Sequence, residues 1–275
     1  MAQRSSTAAP LVTMRIWHQS FTVLSELGAY DRALREHFDR VSRPGTEIVM
    51  HGMRPGTYRT NYPGDDIKHA GFQFLHSLQF LQAAVAAERD GFDAFALSTL
   101  PEPGLVEIRG LVDIPVVGYG ESAAVAAARH GRFGALVFIP ELAELYAANV
   151  RRYGLGEQLV SAEDVGFRFS NVLAAFDEPA PLLARFRAAA RNLISQGAQA
   201  IIPGEAPLNV LLARNGLTEV DGVPIIDSLA AWVHAAERAV DGRRSGDHVQ
   251  GSGYFGARAD RARRDELLAF YGLAA

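Results

Sequence analysis

The stretch GAQAIIPGEAPL, residues 197–208, decides how the fold is read. A short apolar run bounded by turn-forming residues reads as a strand buried on both faces, and this one ends at Gly204 with a carboxylate, Glu205, directly after it. A second stretch, GFDAFALST at 91–99, lies on GAQAIIPGE at 197–205 without a gap and pairs Thr99 with Glu205. In both copies a variable loop and helix follow, and then a further matching pair: VDIPVVGYGESAAVAAA from residue 112 and VDGVPIIDSLAAWVHAA from residue 220. Each of these reads as a strand running into an alanine-rich helix. The duplication predicts an α/β fold of two pseudo-symmetric lobes, each a parallel sheet flanked by helices, with the C-terminal ends of the strands opening on one cleft.

Other segments extend that pattern. Strands are expected at MRIWHQ, EIVMHGM, FDAFALST, IPVVGY, FGALVFIP, GFRF, AQAIIPG and VPIIDS. Helices are expected at LQFLQAAVAAERDG and PLLARFRAAARNLISQG, each closed by a glycine in the C-cap position. The lobes are placed at 13–118 plus 224–275 and at 119–223, with residues 1–12 as a flexible tail.

Composition narrows the function class. The 275 residues are 48% hydrophobic and 21% charged, with a formal net charge of −4, so the chain is able to bury a sizeable core and lacks the basic footprint of a nucleic-acid binder. Cysteine is absent, which removes disulfides, thiolate metal sites and thiol nucleophiles. No apolar stretch has the length of a membrane span, and the N-terminus lacks the apolar core of a secretory signal. A cytoplasmic enzyme or binding protein for a small molecule is expected, acting without nucleic acid or membrane. No Walker motif, dinucleotide fingerprint, HExxH or Cys/His cluster appears, so no cofactor and no metal are expected.

Three stretches carry a resemblance: GFDAFALSTLPEPGLVEIRGLVDIPVVGYGESA, VRRYGLGEQL, and QAIIPGEAPLNVL followed by GVPIIDSLAAWV. They resemble the Asp/Glu/hydantoin racemase superfamily, and within it the hydantoin and allantoin racemase branch, over residues 13–240. The resemblance implies a pseudo-symmetric two-lobed protein in which a cysteine ends the corresponding strand of each lobe, one thiolate taking the α-proton while the other thiol returns one. Those two positions are Thr99 and Glu205 here. The PEPGL stretch at 101–105, Glu121 and Asp227 match the family. His18, Gln19, Ser20 and Phe21 replace its polar turn after the first strand, and Val137 and Phe138 replace a hydroxyl pair in the second lobe. A homo-oligomer is expected on the same ground.

Read as chemistry, the substitutions rule out a symmetrical two-thiol exchange, because a threonine hydroxyl is too weak an acid to serve as the second partner without an activating base. What remains is one base. Glu205 is the candidate: burial would raise its pKa into a useful range, although a carboxylate at the start of APLNVLLA also suits a helix N-terminus. Thr99 and Ser98 are candidate hydrogen-bond donors to a substrate oxygen. His18 is a candidate for proton transfer, or a structural histidine. Gln19, Ser20, Tyr62 and Tyr119 are candidates for lining the substrate pocket, and Arg54 and Arg59 are candidates for clamping a carboxylate, or are solvated loop side chains. The C-terminal segment from Asp241 reads as a flexible connection and a charged helix with a solvated or subunit-facing surface. Three functions fit: one-base proton transfer of isomerase or lyase type on a small carboxylate or hydantoin-like cyclic amide, hydrolysis of a small amide with Glu205 activating water, and metabolite binding without chemistry.

Overall fold

A computed structural model describes residues 13–247 and 253–274; the N-terminal tail expected at 1–12 lies outside the described residues. Strands β1 (Met14–Gln19), β2 (Thr46–His51), β3 (Ala94–Leu97) and β4 (Val116–Gly118) form a parallel sheet in the order β2-β1-β3-β4. Strands β5 (Phe133–Val137), β6 (Leu159–Asp164) and β7 (Ala200–Pro203) form a second parallel sheet in the order β6-β5-β7, and Ile225 adds a parallel bridge to Ile201 beyond β7. The duplicated sequence therefore gives duplicated topology. β3 and β7 hold the same place in their sheets, and the strand at Ile225 answers to β4. Every residue of β3, β5 and β7 is buried, which is why these strands read as unbroken apolar runs.

Helices α1 (Gly28–Val41), α2 (Gly64–Ile67), α3 (Ala70–Arg89) and α4 (Leu105–Leu111) connect the first sheet, and α5 (Tyr119–Ala128) leaves it. Helices α6 (Glu141–Arg152), α7 (Phe169–Ala174), α8 (Ala180–Ser195) and α9 (Ala206–Arg214) serve the second, and α10 (Ser228–Ser245) returns from it. α5 packs on β7 and α6, whereas α10 packs on β4, β3 and β1. Each lobe thus receives the helix that follows the other lobe's last strand, and the exchange joins the two. α3 and α8 end as expected: Gly91 and Gly197 stand just beyond them at φ 75° and 98°, a left-handed conformation that costs a side-chain-free residue least.

Two expectations are corrected. GFRF at 166–169 is not a strand, since Gly166 turns the chain at φ 75° and Phe169 opens α7. The outer partner of β5 is LVSAED at 159–164, an edge strand of mostly half-buried residues, half of them polar, whose pattern carries little apolar signal. The C-terminal helix α11 (Arg261–Phe270) is also more than a solvated surface. Arg264 is buried and donates to Glu88 of α3 at 2.7 Å and to the Leu111 carbonyl at 2.8 Å, while Leu268 is buried among the core residues. The helix is fastened to the first lobe by a buried charge pair that would be costly to break from one side.

Candidate functional site

Equivalent strand ends bring the two lobes to one point. Leu97 ends β3, so Ser98 and Thr99 emerge from the first sheet; Pro203 ends β7, so Gly204 and Glu205 emerge from the second. Gly204 is required by packing: a Cβ there would stand 2.7 Å from Val137 Cγ1 and 3.0 Å from the Leu136 carbonyl. Its N–H donates to Leu136 O at 2.8 Å, which keeps the chain in the sheet until the residue before Glu205.

Glu205 occupies the position preceding α9, yet its carboxylate makes no capping bond to that helix. It crosses to the β5–α6 turn. The Phe138 N–H donates to both carboxylate oxygens, at 3.0 and 3.1 Å, and the Ile139 N–H donates to Oε1 at 3.1 Å. The side chain is 7% exposed. Burial pushes its pKa up to about 8 against the opposing effect of the Ile139 and Phe138 amides, because removing a carboxylate from water costs more than these bonds return. Helix capping therefore does not account for this carboxylate.

Glu205, Thr99, Ser98, Ser20, Thr22 and Tyr62 all line one cavity of about 50 Å³. Its remaining walls are almost wholly apolar, including Phe21, Leu100, Phe138, Ile139 and Phe169. No lysine, arginine or histidine is among the lining residues. Ser98 Oγ is buried and has no hydrogen-bond partner, an arrangement that native structures rarely leave without a ligand or water to complete it. Ser20 Oγ is instead paired with Thr22 Oγ1 at 2.8 Å.

Other expected site residues lie elsewhere. His18 is fully buried in the first lobe with its ring edge-on to Phe38 and Trp232, and it does not line the cavity. Nδ1 stands 3.2 Å from the His51 carbonyl, and burial lowers the ring pKa to about 3, so the imidazole is a neutral core group. Gln19 accepts from Trp17 Nε1 at 3.0 Å and donates to the Ser20 carbonyl at 3.2 Å. Tyr119 is wholly buried and its hydroxyl donates to the Pro203 carbonyl at 3.2 Å, which braces β7 from behind the site. Arg54 and Arg59 are exposed; Arg54 reaches Gln82 at 3.3 Å, and neither lines the cavity.

Some contributors were not legible as such. In the β5–α6 turn it is the main chain of Phe138 and Ile139 that meets Glu205, and no side-chain pattern reports a main-chain donor. Glu102, in PEPGL, is buried at φ 49° and accepts from the Glu121 N–H at 2.9 Å and from the Tyr153 hydroxyl. Burial raises its pKa to about 7. It braces the loop carrying Thr99 against α5 and the end of α6. The loop carrying Tyr62 is pinned in turn by Tyr58, whose hydroxyl donates to the Phe21 carbonyl at 2.6 Å.

Among the described residues no group of three or more His, Asp or Glu side chains is placed to hold a metal ion, and no helix is long and apolar enough to cross a membrane. Comparison with known proteins agrees with the topology. The chain is 28% identical over 204 residues to a hydantoin racemase of Pseudomonas sp. (strain NS671), covering 73% of this chain and 76% of that protein. It superposes on an allantoin racemase from Klebsiella pneumoniae with a TM-score of 0.69 at 24% identity, covering 89% and 98% of the two chains. An allantoin racemase from Pseudomonas fluorescens gives 0.67 at 22% identity, covering 85% and 92%. The family profile described as Asp/Glu/Hydantoin racemase matches residues 28–236, and the chain belongs to that family.

Proposed function

We propose that this protein is a cysteine-independent enzyme of the racemase family that transfers a proton at a carbon next to a carbonyl, with Glu205 as its single base and a neutral, hydantoin-like cyclic amide as its substrate. The observation that carries this reading is the Glu205 carboxyl itself. It is buried, held in place by two main-chain amides, and opens on the cavity it shares with Ser98 and Thr99. A pKa near 8 suits a group that must accept a proton and release it again near neutral pH.

Charge selects the neutral substrate over a carboxylate. A substrate anion would enter a low-dielectric cavity with no cationic side chain in its walls, and the two amides best placed to receive it are already bonded to Glu205. Such an ion would be left unpaired, which is costly. A cyclic amide carries no charge, and its C=O and N–H groups match the free hydroxyls of Ser98 and Thr99.

In the forward step the Glu205 carboxylate takes the proton from the ring carbon, and the C–H electron pair moves onto the adjacent carbonyl to give an enolate. Ser98 and Thr99 donate hydrogen bonds to the oxygen that gains charge. Return of the proton by Glu205 restores the same face of the carbon, whereas delivery from water on the opposite face inverts it and leaves a hydroxide, which takes the proton held by Glu205 through solvent and regenerates the carboxylate. Solvent hydrogen therefore enters the carbon at every inversion, and at every retention in which Glu205 has first exchanged its proton. Glu205→Gln is expected to lower kcat by ~10²-fold or more while the protein stays folded; unchanged turnover would refute the assignment.

A further inference from the structure

The cavity around Glu205 holds about 50 Å³, room for one or two water molecules at ~30 Å³ each and too little for a ring that carries an aromatic substituent. Directly outside it lies a groove of about 700 Å³. The two spaces share Tyr62, Gly64, Phe138, Ile139 and Phe169 as walls. What separates them is a stack between the lobes: the Tyr62 ring lies on the Phe169 ring with centroids 4.8 Å apart and planes 20° from parallel. The array continues inward. Phe138 stacks with Phe169 at 6.3 Å and 26°, and with Phe167 at 6.5 Å and 25°.

Three of these rings belong to the second lobe and are buried, Phe138, Phe167 and Phe169. Tyr62 is different: it is half-buried and comes from the β2–α2 loop of the first lobe. Its ring lies directly over Gly64, where a Cβ would stand 2.1 Å from the Tyr62 Cζ and 2.2 Å from its hydroxyl oxygen, so a side chain at residue 64 would push the ring from this position. A half-buried ring at the end of an otherwise buried aromatic array is the member able to leave. Near-parallel stacking between the lobes also shows what shape and chemistry that face of Phe169 accepts.

From this geometry we infer that Phe169 and its neighbours form a subsite for a planar aromatic substituent of the substrate, which displaces Tyr62 and takes its place on the stack. The inference rests on the reading that the reacting head group sits at Glu205. It adds the substituent class and its location. Tyr62 then acts as an internal competitor, filling the ring position when no substrate is bound, so the measured affinity is the intrinsic one reduced by the fraction of molecules with Tyr62 displaced.

The inference is tested by isothermal titration of the full chain with 5-methylhydantoin and 5-benzylhydantoin. The benzyl probe is expected to bind roughly 5-fold more tightly than the methyl probe, and Phe169→Leu is expected to remove most of that preference. Tyr62→Ala and Gly64→Ala, the second pushing the tyrosine aside by its added methyl, are each expected to tighten the benzyl probe by about 3-fold or more and leave the methyl probe within about twofold. Two loop variants acting by different means guard against misfolding of either. Equal binding of the two probes, failure of the benzyl probe to bind, or weaker benzyl binding in Tyr62→Ala would overturn the subsite. Ser98→Ala separates the two readings, since it is expected to weaken both probes alike by roughly 5-fold. If it changes neither while the Tyr62 and Phe169 effects persist, the head-group reading fails and the ring subsite stands.

Discussion

Glu205→Gln is expected to make the protein more stable at alkaline pH while removing its activity. The magnitude follows from the carboxyl's environment. Burial raises its pKa from 4.5 to about 8, so the folded state holds a proton that the unfolded chain has released across this interval. The stability associated with that proton is fully present below pH 4.5, declines as pH rises, and is gone above pH 8. At ~1.4 kcal/mol per pH unit the loss is about 3 kcal/mol by pH 7 and about 4–5 kcal/mol by pH 9. Glutamine has nearly the same shape, and its carbonyl oxygen is able to accept from Phe138 N–H and Ile139 N–H as Glu205 Oε1 does. Urea unfolding of wild type and variant, followed by the fluorescence of Trp17 and Trp232 at pH 5, 7 and 9, measures the difference. Glu102, whose raised pKa near 7 gives the same sign of dependence, is present in both proteins and cancels. The variant should gain on wild type from pH 5 to about pH 8 and hold that gain at pH 9. A constant difference, or a variant that loses ground at pH 9, would refute the claim that this carboxyl is buried and protonated near neutrality.

The same protonation sets the rate profile: kcat/KM for a hydantoin substrate should rise about tenfold per pH unit below pH 8 and level off above it, as expected when one base must be ionised. A flat profile between pH 6 and 8 would exclude Glu205 as that base. Replacing His18 by leucine should leave turnover within about twofold, since the ring is in the core and away from the cavity. Its pKa is lowered from 6.5 to about 3, so the wild type loses stability as pH falls below 6.5, by about 2 kcal/mol at pH 5. The leucine variant should lack that loss in the same unfolding assay, and a large drop in kcat would restore a catalytic role to the histidine. Thr99→Val should lower kcat by roughly 10-fold with little change in KM if the hydroxyl meets an oxygen that gains charge only in the transition state; a change confined to KM would make it a ground-state contact.

The sequence carried the fold because the fold is duplicated and its central strands are buried on both faces. β3 and β7 announce themselves as apolar runs, and their alignment places Thr99 opposite Glu205 before any coordinate is known. What the sequence withheld depends on surroundings rather than on pattern. β6 is a half-buried edge strand with polar residues, so its periodicity is faint. His18 and Tyr119 stand at or next to strand ends that could face a cleft, and only packing decides that they turn into the core. The Phe138 and Ile139 amides are main-chain groups with no residue signature. The Tyr62–Phe169 stack joins segments far apart in the chain, a contact that local sequence does not encode.

In the proposed mechanism one buried carboxylate moves one proton. This is tested most directly by following the ring-carbon hydrogen of 5-benzylhydantoin by proton NMR in deuterated buffer near pD 8, with wild-type protein and with Glu205→Gln. Wild type is expected to replace this hydrogen by deuterium well above the rate without protein, with the ring intact, and the variant is expected to be slower by ~10²-fold or more. Exchange in the variant as fast as in wild type would contradict the mechanism, and so would ring opening with solvent oxygen appearing in the product.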